Sequence, residues 1–135
     1  MKILDDLSSL AIKAREDSYS PYSGVRVGAA LLAKSGKIYT GCNIENAAFS
    51  PTVCAERVAF FKAISEGERQ FSAIAVVGGK RQDPPSFCAP CGICRQVMAE
   101  FCDSDFRILL GNSDKLEAYT LAAILPLSFG RDDLQ

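Results

Sequence analysis

Cys54, Glu56, Cys91 and Cys94 are the side chains through which this 135-residue chain could do chemistry. Cys91 and Cys94 stand three apart in Pro90-Cys91-Gly92-Ile93-Cys94-Arg95-Gln96, at the foot of an expected helix. That spacing puts both thiols on one face of a first turn, where they can grip one ion together. Cys54 opens another expected helix in Thr52-Val53-Cys54-Ala55-Glu56-Arg57. Helix N-termini favour thiolate, because their unpaired N–H groups and dipole attract negative charge. Three thiolates would leave one position of a zinc tetrahedron open, the arrangement of a catalytic site and not a structural one. Glu56, two residues past a ligand, is placed to reach that position as a proton shuttle. Arg57 and the helix ends would offset the charge of a Zn(Cys)3 unit, which acidifies water less than a histidine site would.

The chain has no histidine. This excludes Ser-His and Cys-His nucleophile pairs, a histidine general base and any His-ligated metal. A carboxylate, a thiolate or a metal-activated water must carry any chemistry near neutral pH. Taken alone, the Cys91/Cys94 pair fits a structural zinc or a redox couple equally well. Cys88, three residues before Cys91, would close the metal site as a fourth ligand and make the protein a non-catalytic zinc-stabilised module. It precedes Pro90 and so falls outside the helix, and we read it as a non-ligand. Cys42 and Cys102 are read as small buried hydrophobes.

The elements that must position these groups follow from periodicity. Ile3, Leu4, Leu7, Leu10, Ala11 and Ala14 recur at helical steps over 3–17. Residues 25–33 predict a strand buried on both faces, with 37–43 its hairpin partner across Lys34-Ser35-Gly36-Lys37. A helix from Cys54 would bury Val58, Phe61, Ala63 and Ile64 and end near Gly67. Residues 71–77 predict a strand, and the helix after Pro90 a stripe of Ile93, Val97, Met98 and Phe101. Short strands over 107–110 and 116–119 and a helical turn over 121–125 follow, stopped by Pro126. This order predicts a three-layer α/β/α domain over 1–135. Its mixed sheet of about five strands begins with an antiparallel hairpin, and strands joined by helical crossovers run parallel.

Net charge is −1, with 15 basic and 16 acidic residues, so there is no basic excess for a nucleic-acid partner. No apolar run approaches the ~20 residues of a membrane span. The acidic start Met1-Lys2-Ile3-Leu4-Asp5-Asp6 is unlike a signal peptide. A cytoplasmic protein is expected, in which six cysteines are not a disulfide framework.

These motifs occur with Tyr19-Ser20-Pro21-Tyr22-Ser23, Val27-Gly28-Ala29-Ala30, Gly41-Cys42-Asn43-Ile44-Glu45-Asn46-Ala47 and Leu125-Pro126. Over nearly its whole length the sequence resembles the small, homotetrameric, zinc-dependent cytidine deaminases. The resemblance implies that fold and one Zn2+ per chain, held by Cys54, Cys91 and Cys94. It implies deamination of cytidine and 2′-deoxycytidine to the uridines for pyrimidine salvage. Glu56 would take a proton from zinc-bound water, protonate N3 and help expel ammonia after hydroxide attacks C4. Asn43 and Glu45 would grip the ribose, and the Ala55 backbone the pyrimidine edge. Arg57 would hydrogen-bond the thiolates, and Gln96, in the Cys91/Cys94 motif, would stand with it just outside the ligands. Phe129 would come to the site across a subunit boundary. Val25 stands where the family usually has an aromatic residue against the base, and Phe49 where tyrosine is common. Val25 therefore also admits another cytosine nucleoside, such as a blasticidin-type antibiotic, as substrate.

Overall fold

The computed structural model describes residues 2–80, 82–112 and 115–135. The Leu4 side chain, one of those expected on the apolar stripe of the first helix, lies outside what it describes. The chain runs α1 (Lys2–Arg15), β1 (Gly28–Ala33), β2 (Ile38–Cys42), α2 (Ala55–Ser65), β3 (Phe71–Val77), α3 (Gly92–Phe101), β4 (Arg107–Gly111), β5 (Leu116–Thr120) and α4 (Leu121–Ile124), then a 3₁₀ turn at Arg131–Asp133. Among the described residues, no helix is long and apolar enough to cross a membrane.

Five strands form one mixed sheet in the order β2-β1-β3-β4-β5. β1 pairs antiparallel with both β2 and β3, β3 runs parallel to β4, and β5 is antiparallel to β4. Strands joined through a helix, β2 to β3 and β3 to β4, therefore point the same way, as helical crossovers require. Side-chain alternation divides the core. Ala29, Leu31, Ile74, Val76, Ile108 and Leu110 face a layer that includes Ala59 and Phe60 of α2 and Met98 of α3. Ala30, Ala73, Ala75, Val77 and Leu109 face Leu7 and Ala11 of α1. Small residues dominate this second face, so one helix can lie close against it.

Three expectations need correction. Residues 25–27 lie outside β1: the Asn43 amide donates to the Val25 carbonyl and accepts from the Val27 N–H, each at 2.8 Å, and Val25 makes only an isolated bridge, with Lys80. α2 buries Ala55, Ala59, Phe60 and Ala63, while Phe61 is half exposed. It is apolar on most sides, so period alone cannot choose its inner face; small residues at 55, 59 and 63 set it down on the sheet. In α3, Cys94 and Met98 are buried but Ile93 points outward, 61% exposed.

Candidate active site

Two helix N-termini meet over one end of the sheet, and each has cysteine as its N-cap. Cys54 caps α2 and Cys91 caps α3, both in extended backbone conformation and neither making a side-chain cap bond. Their sulfurs turn to each other instead, 3.6 Å apart, and Cys91 Sγ lies 3.6 Å from Cys94 Sγ in the first turn of α3. All three sulfurs lie within 4.8 Å of one another. Zinc–sulfur bonds of ~2.3 Å imply tetrahedron edges of ~3.8 Å, so this triangle fits three corners of a zinc site. All six cysteines are free thiols.

Close backbone approach brings the first of these helix ends to the sheet. A Cβ on Gly41 of β2 would stand 2.4 Å from the Ala55 carbonyl oxygen and 2.7 Å from the Ala59 nitrogen. Only glycine allows α2 to lie that low. Ala55 itself is fully buried.

Electrostatics separate the thiols. Hydrogen bonding from Cys94, aided by Arg57 and Cys91, holds the Cys54 thiol down at about 5 despite its burial. The same Cys94–Cys54 contact, together with burial, pushes Cys94 up. Arg57 Nη2 donates to Cys54 Sγ at 3.5 Å, placing a cation against the sulfur cluster. Glu56 is 3% exposed, and its Oε1 is buried without a hydrogen-bond partner among the described residues. Burial above all, and then the neighbouring Cys54 charge, pushes its carboxyl up to about 7.

Cys88 stands outside the sulfur triangle. It packs over Gly78, where an added Cβ would lie 2.6 Å from Cys88 Cβ. Burial, with the nearby acidic groups, pushes its thiol up to about 11. Cys102 packs against the core, and burial takes it to about 12; burial also raises Cys42.

Asn43 and Glu45 are both engaged with the segment that contains Val25. Besides its bonds to Val25 and Val27, Asn43 Oδ1 accepts from Ser18 Oγ. Glu45 accepts from Tyr22 N at 2.9 Å, Ser23 N at 3.1 Å and Ser23 Oγ at 2.5 Å. The Ser23 hydroxyl is the main reason its carboxyl lies below the usual range. A hollow of about 700 Å³ is lined by Val25, Gly79, Lys80 and the stretch from Asp83 to Cys88. Phe49 is exposed, in left-handed backbone conformation (φ 40°), with its ring edge-on to Tyr22 at 5.9 Å. Phe129 is also exposed, and its carbonyl accepts from Gln96 Nε2 at 2.7 Å.

Two arginines escaped the sequence reading. Arg15 is buried and donates to the Lys80 and Asp83 carbonyls, holding the loop that walls the hollow. Arg95 donates to the Pro90 and Ile124 carbonyls. No spacing pattern marks Arg15, and the only signal for Arg95 is that it stands beside Cys94.

Residues 1–110 match the model of the cytidine and deoxycytidylate deaminase zinc-binding region. A cytidine deaminase from Sporosarcina psychrophila is 54% identical over 90% of this chain and 88% of its own. A cytidine deaminase crystal structure from Burkholderia pseudomallei superimposes with a TM-score of 0.84 at 42% identity, covering 92% of this chain and 97% of that one. A blasticidin-S deaminase from Bacillus cereus is more distant, at 32% identity over 78% of each chain. The matched region takes in both helix ends and all three sulfurs of the triangle, and the chain belongs to the cytidine and deoxycytidylate deaminase family.

Proposed function

We propose that this protein hydrolyses cytidine and 2′-deoxycytidine to uridine and 2′-deoxyuridine with release of ammonia, serving pyrimidine salvage in the cytoplasm. The observation that carries this reading is the sulfur triangle of Cys54, Cys91 and Cys94 beside a buried carboxyl with a free oxygen. Cys54, Cys91 and Cys94 hold one zinc ion, which when bound supplies Lewis acidity toward water. Glu56, pushed up to about 7, can both accept and give a proton near neutral pH. It accepts a proton from the water whose oxygen bonds to C4 and delivers that proton to the pyrimidine N3; it then carries the proton of the new C4 hydroxyl to the amino nitrogen, so that the C4–N bond breaks, a C4 carbonyl forms and ammonia leaves. Burial shields that carboxyl from bulk solvent during both transfers. Arg57 holds positive charge against the Cys54 sulfur and moderates three thiolates gathered in one place.

Asn43 and Glu45 bind the ribose hydroxyls. An amide has four hydrogen-bonding sites, and the three bonds made by Asn43 leave one N–H for the sugar. Glu45 keeps one lone-pair site, on Oε2, beyond the three that hold Tyr22 and Ser23. The pair thus shapes the substrate loop and presents a donor and an acceptor at its edge. The Ala55 backbone, in the first turn of α2, meets the pyrimidine edge. Val25 supplies an apolar wall for the base, with Phe49 at its rim.

The working form is a homotetramer. A single chain leaves Phe61, Ile93, Leu127 and Phe129 exposed, apolar surface that packing between copies would cover. Phe129 then reaches a neighbouring site, its backbone held by Gln96. Sedimentation of the zinc protein as a monomer would contradict this.

Ammonia release from cytidine, together with a metal count on the purified protein, tests the activity. Val25 favours one second reading, deamination of a blasticidin-type nucleoside, because a valine wall lacks the stacking an aromatic ring gives the base. Parallel assays decide between them: a kcat/KM for blasticidin S above that for cytidine would overturn the first reading.

A further inference from the structure

We propose that Arg95 is a positioning residue that ties the segment after β5 to the zinc-binding end of α3. The proposal rests on the zinc-site reading above. Arg95 Nε donates to the Pro90 carbonyl at 2.7 Å, and Nη1 of the same guanidinium donates to the Ile124 carbonyl at 2.6 Å. Pro90 is fully buried and immediately precedes Cys91, the N-cap sulfur ligand. Its carbonyl cannot turn to water, and the arginine supplies the donor that a buried acceptor requires. Ile124 ends α4, a single turn fixed at its other end by the Thr120 hydroxyl on the Ala123 N–H and by buried Leu121. Its carbonyl is one of those a helix end leaves without an intrahelical partner.

A guanidinium is a rigid planar fork, so two bonds from one head fix two carbonyls relative to each other. One is anchored in α4 and the other sets the peptide that aims Cys91. Arg95 also begins the backbone ladder of α3, its N–H donating to the Cys91 carbonyl at 3.0 Å. Main chain and side chain of one residue thus grip both sides of the ligand peptide. The neighbouring Gln96 adds a second tie, to the Phe129 carbonyl. Groups that orient metal ligands from outside the coordination sphere typically change metal affinity by ~10–100-fold when removed. Arg95 belongs to that class by geometry, and through it the α4 turn becomes part of the metal centre.

The test is zinc transfer from holoenzyme to a chromogenic chelator at 25 °C, with the cobalt-substituted visible spectrum as second readout. Arg95→Met should release zinc ~10-fold faster or more and shift the cobalt bands, while far-UV circular dichroism stays native. A merely structural role would lower the melting temperature and leave both readouts alone. Should Arg95→Met fail to fold, Arg95→Lys decides, since a single ammonium cannot span both carbonyls in the same fork. Arg95→Lys should release zinc several-fold faster than wild type. Wild-type release rates and cobalt bands in a folded Arg95 variant would overturn the proposal. Neither readout uses a nucleoside, so failure to deaminate cytidine would count against the function above and leave this result standing.

Discussion

Gly41 lies directly beneath Ala55, where a Cβ would come within 2.4 Å of the helix carbonyl. A glycine in β2 thereby decides how low α2 sits, and with it the height of Cys54 and Glu56 above the sheet. Because the obstructing atoms are backbone, no side-chain rotation can relieve the clash. Gly41→Ala should destabilise the protein by about 1–3 kcal/mol, the usual range for overpacking. It should also weaken zinc retention. Urea unfolding and a metal count read the two effects; wild-type values in both would show that α2 is not seated by this contact.

Glu56→Gln keeps the shape of the side chain and removes its proton chemistry. Positioned acid–base groups contribute ~100- to 10,000-fold to rate, so kcat should fall by at least that range while zinc stays at one per chain. A variant that still turns over cytidine within tenfold of wild type would remove Glu56 from the mechanism.

Cysteine substitutions should divide along the geometry. Cys91→Ala removes a corner of the triangle and should abolish zinc binding and activity together. Cys88→Ala removes only a sulfur packed over Gly78 and should keep one zinc per chain. Loss of zinc from Cys88→Ala would place a fourth sulfur on the metal.

Cys102 carries a pH signature. Burial pushes its thiol up to about 12, well above the ~8.5 of a free cysteine. The folded state therefore resists the thiolate: the associated stability is fully present below the unfolded value and is lost as pH rises toward the folded one. Thermal melts should fall more steeply above pH 9 for wild type than for Cys102→Ala. Parallel melting curves for the two proteins across pH 8–10.5 would contradict that origin.

Local pattern carried much of the fold. Phe71–Val77 is an unbroken β-rich run bounded by Gly78, and its strand has those ends. Cys54 and Cys91 were legible as members of one sulfur cluster because residue type, spacing and helix start agreed. Where sequence reading failed, a long-range contact had overruled a local one. Val25 looked like strand, but the Asn43 amide, eighteen residues on, takes its carbonyl. Phe61 looked like core, but the requirement to meet Gly41 turned Ala55, Ala59 and Ala63 inward and Phe60 with them. Arg95 was invisible as a tie because its partners are carbonyls, which every residue has.

The proposed site requires three sulfurs and one open position at the metal. Zinc K-edge X-ray absorption of the purified holoenzyme measures that set. Three sulfurs at ~2.3 Å with one oxygen or nitrogen at ~2.0 Å is the predicted result. Four sulfurs would close the position beside Glu56 and contradict the catalytic site.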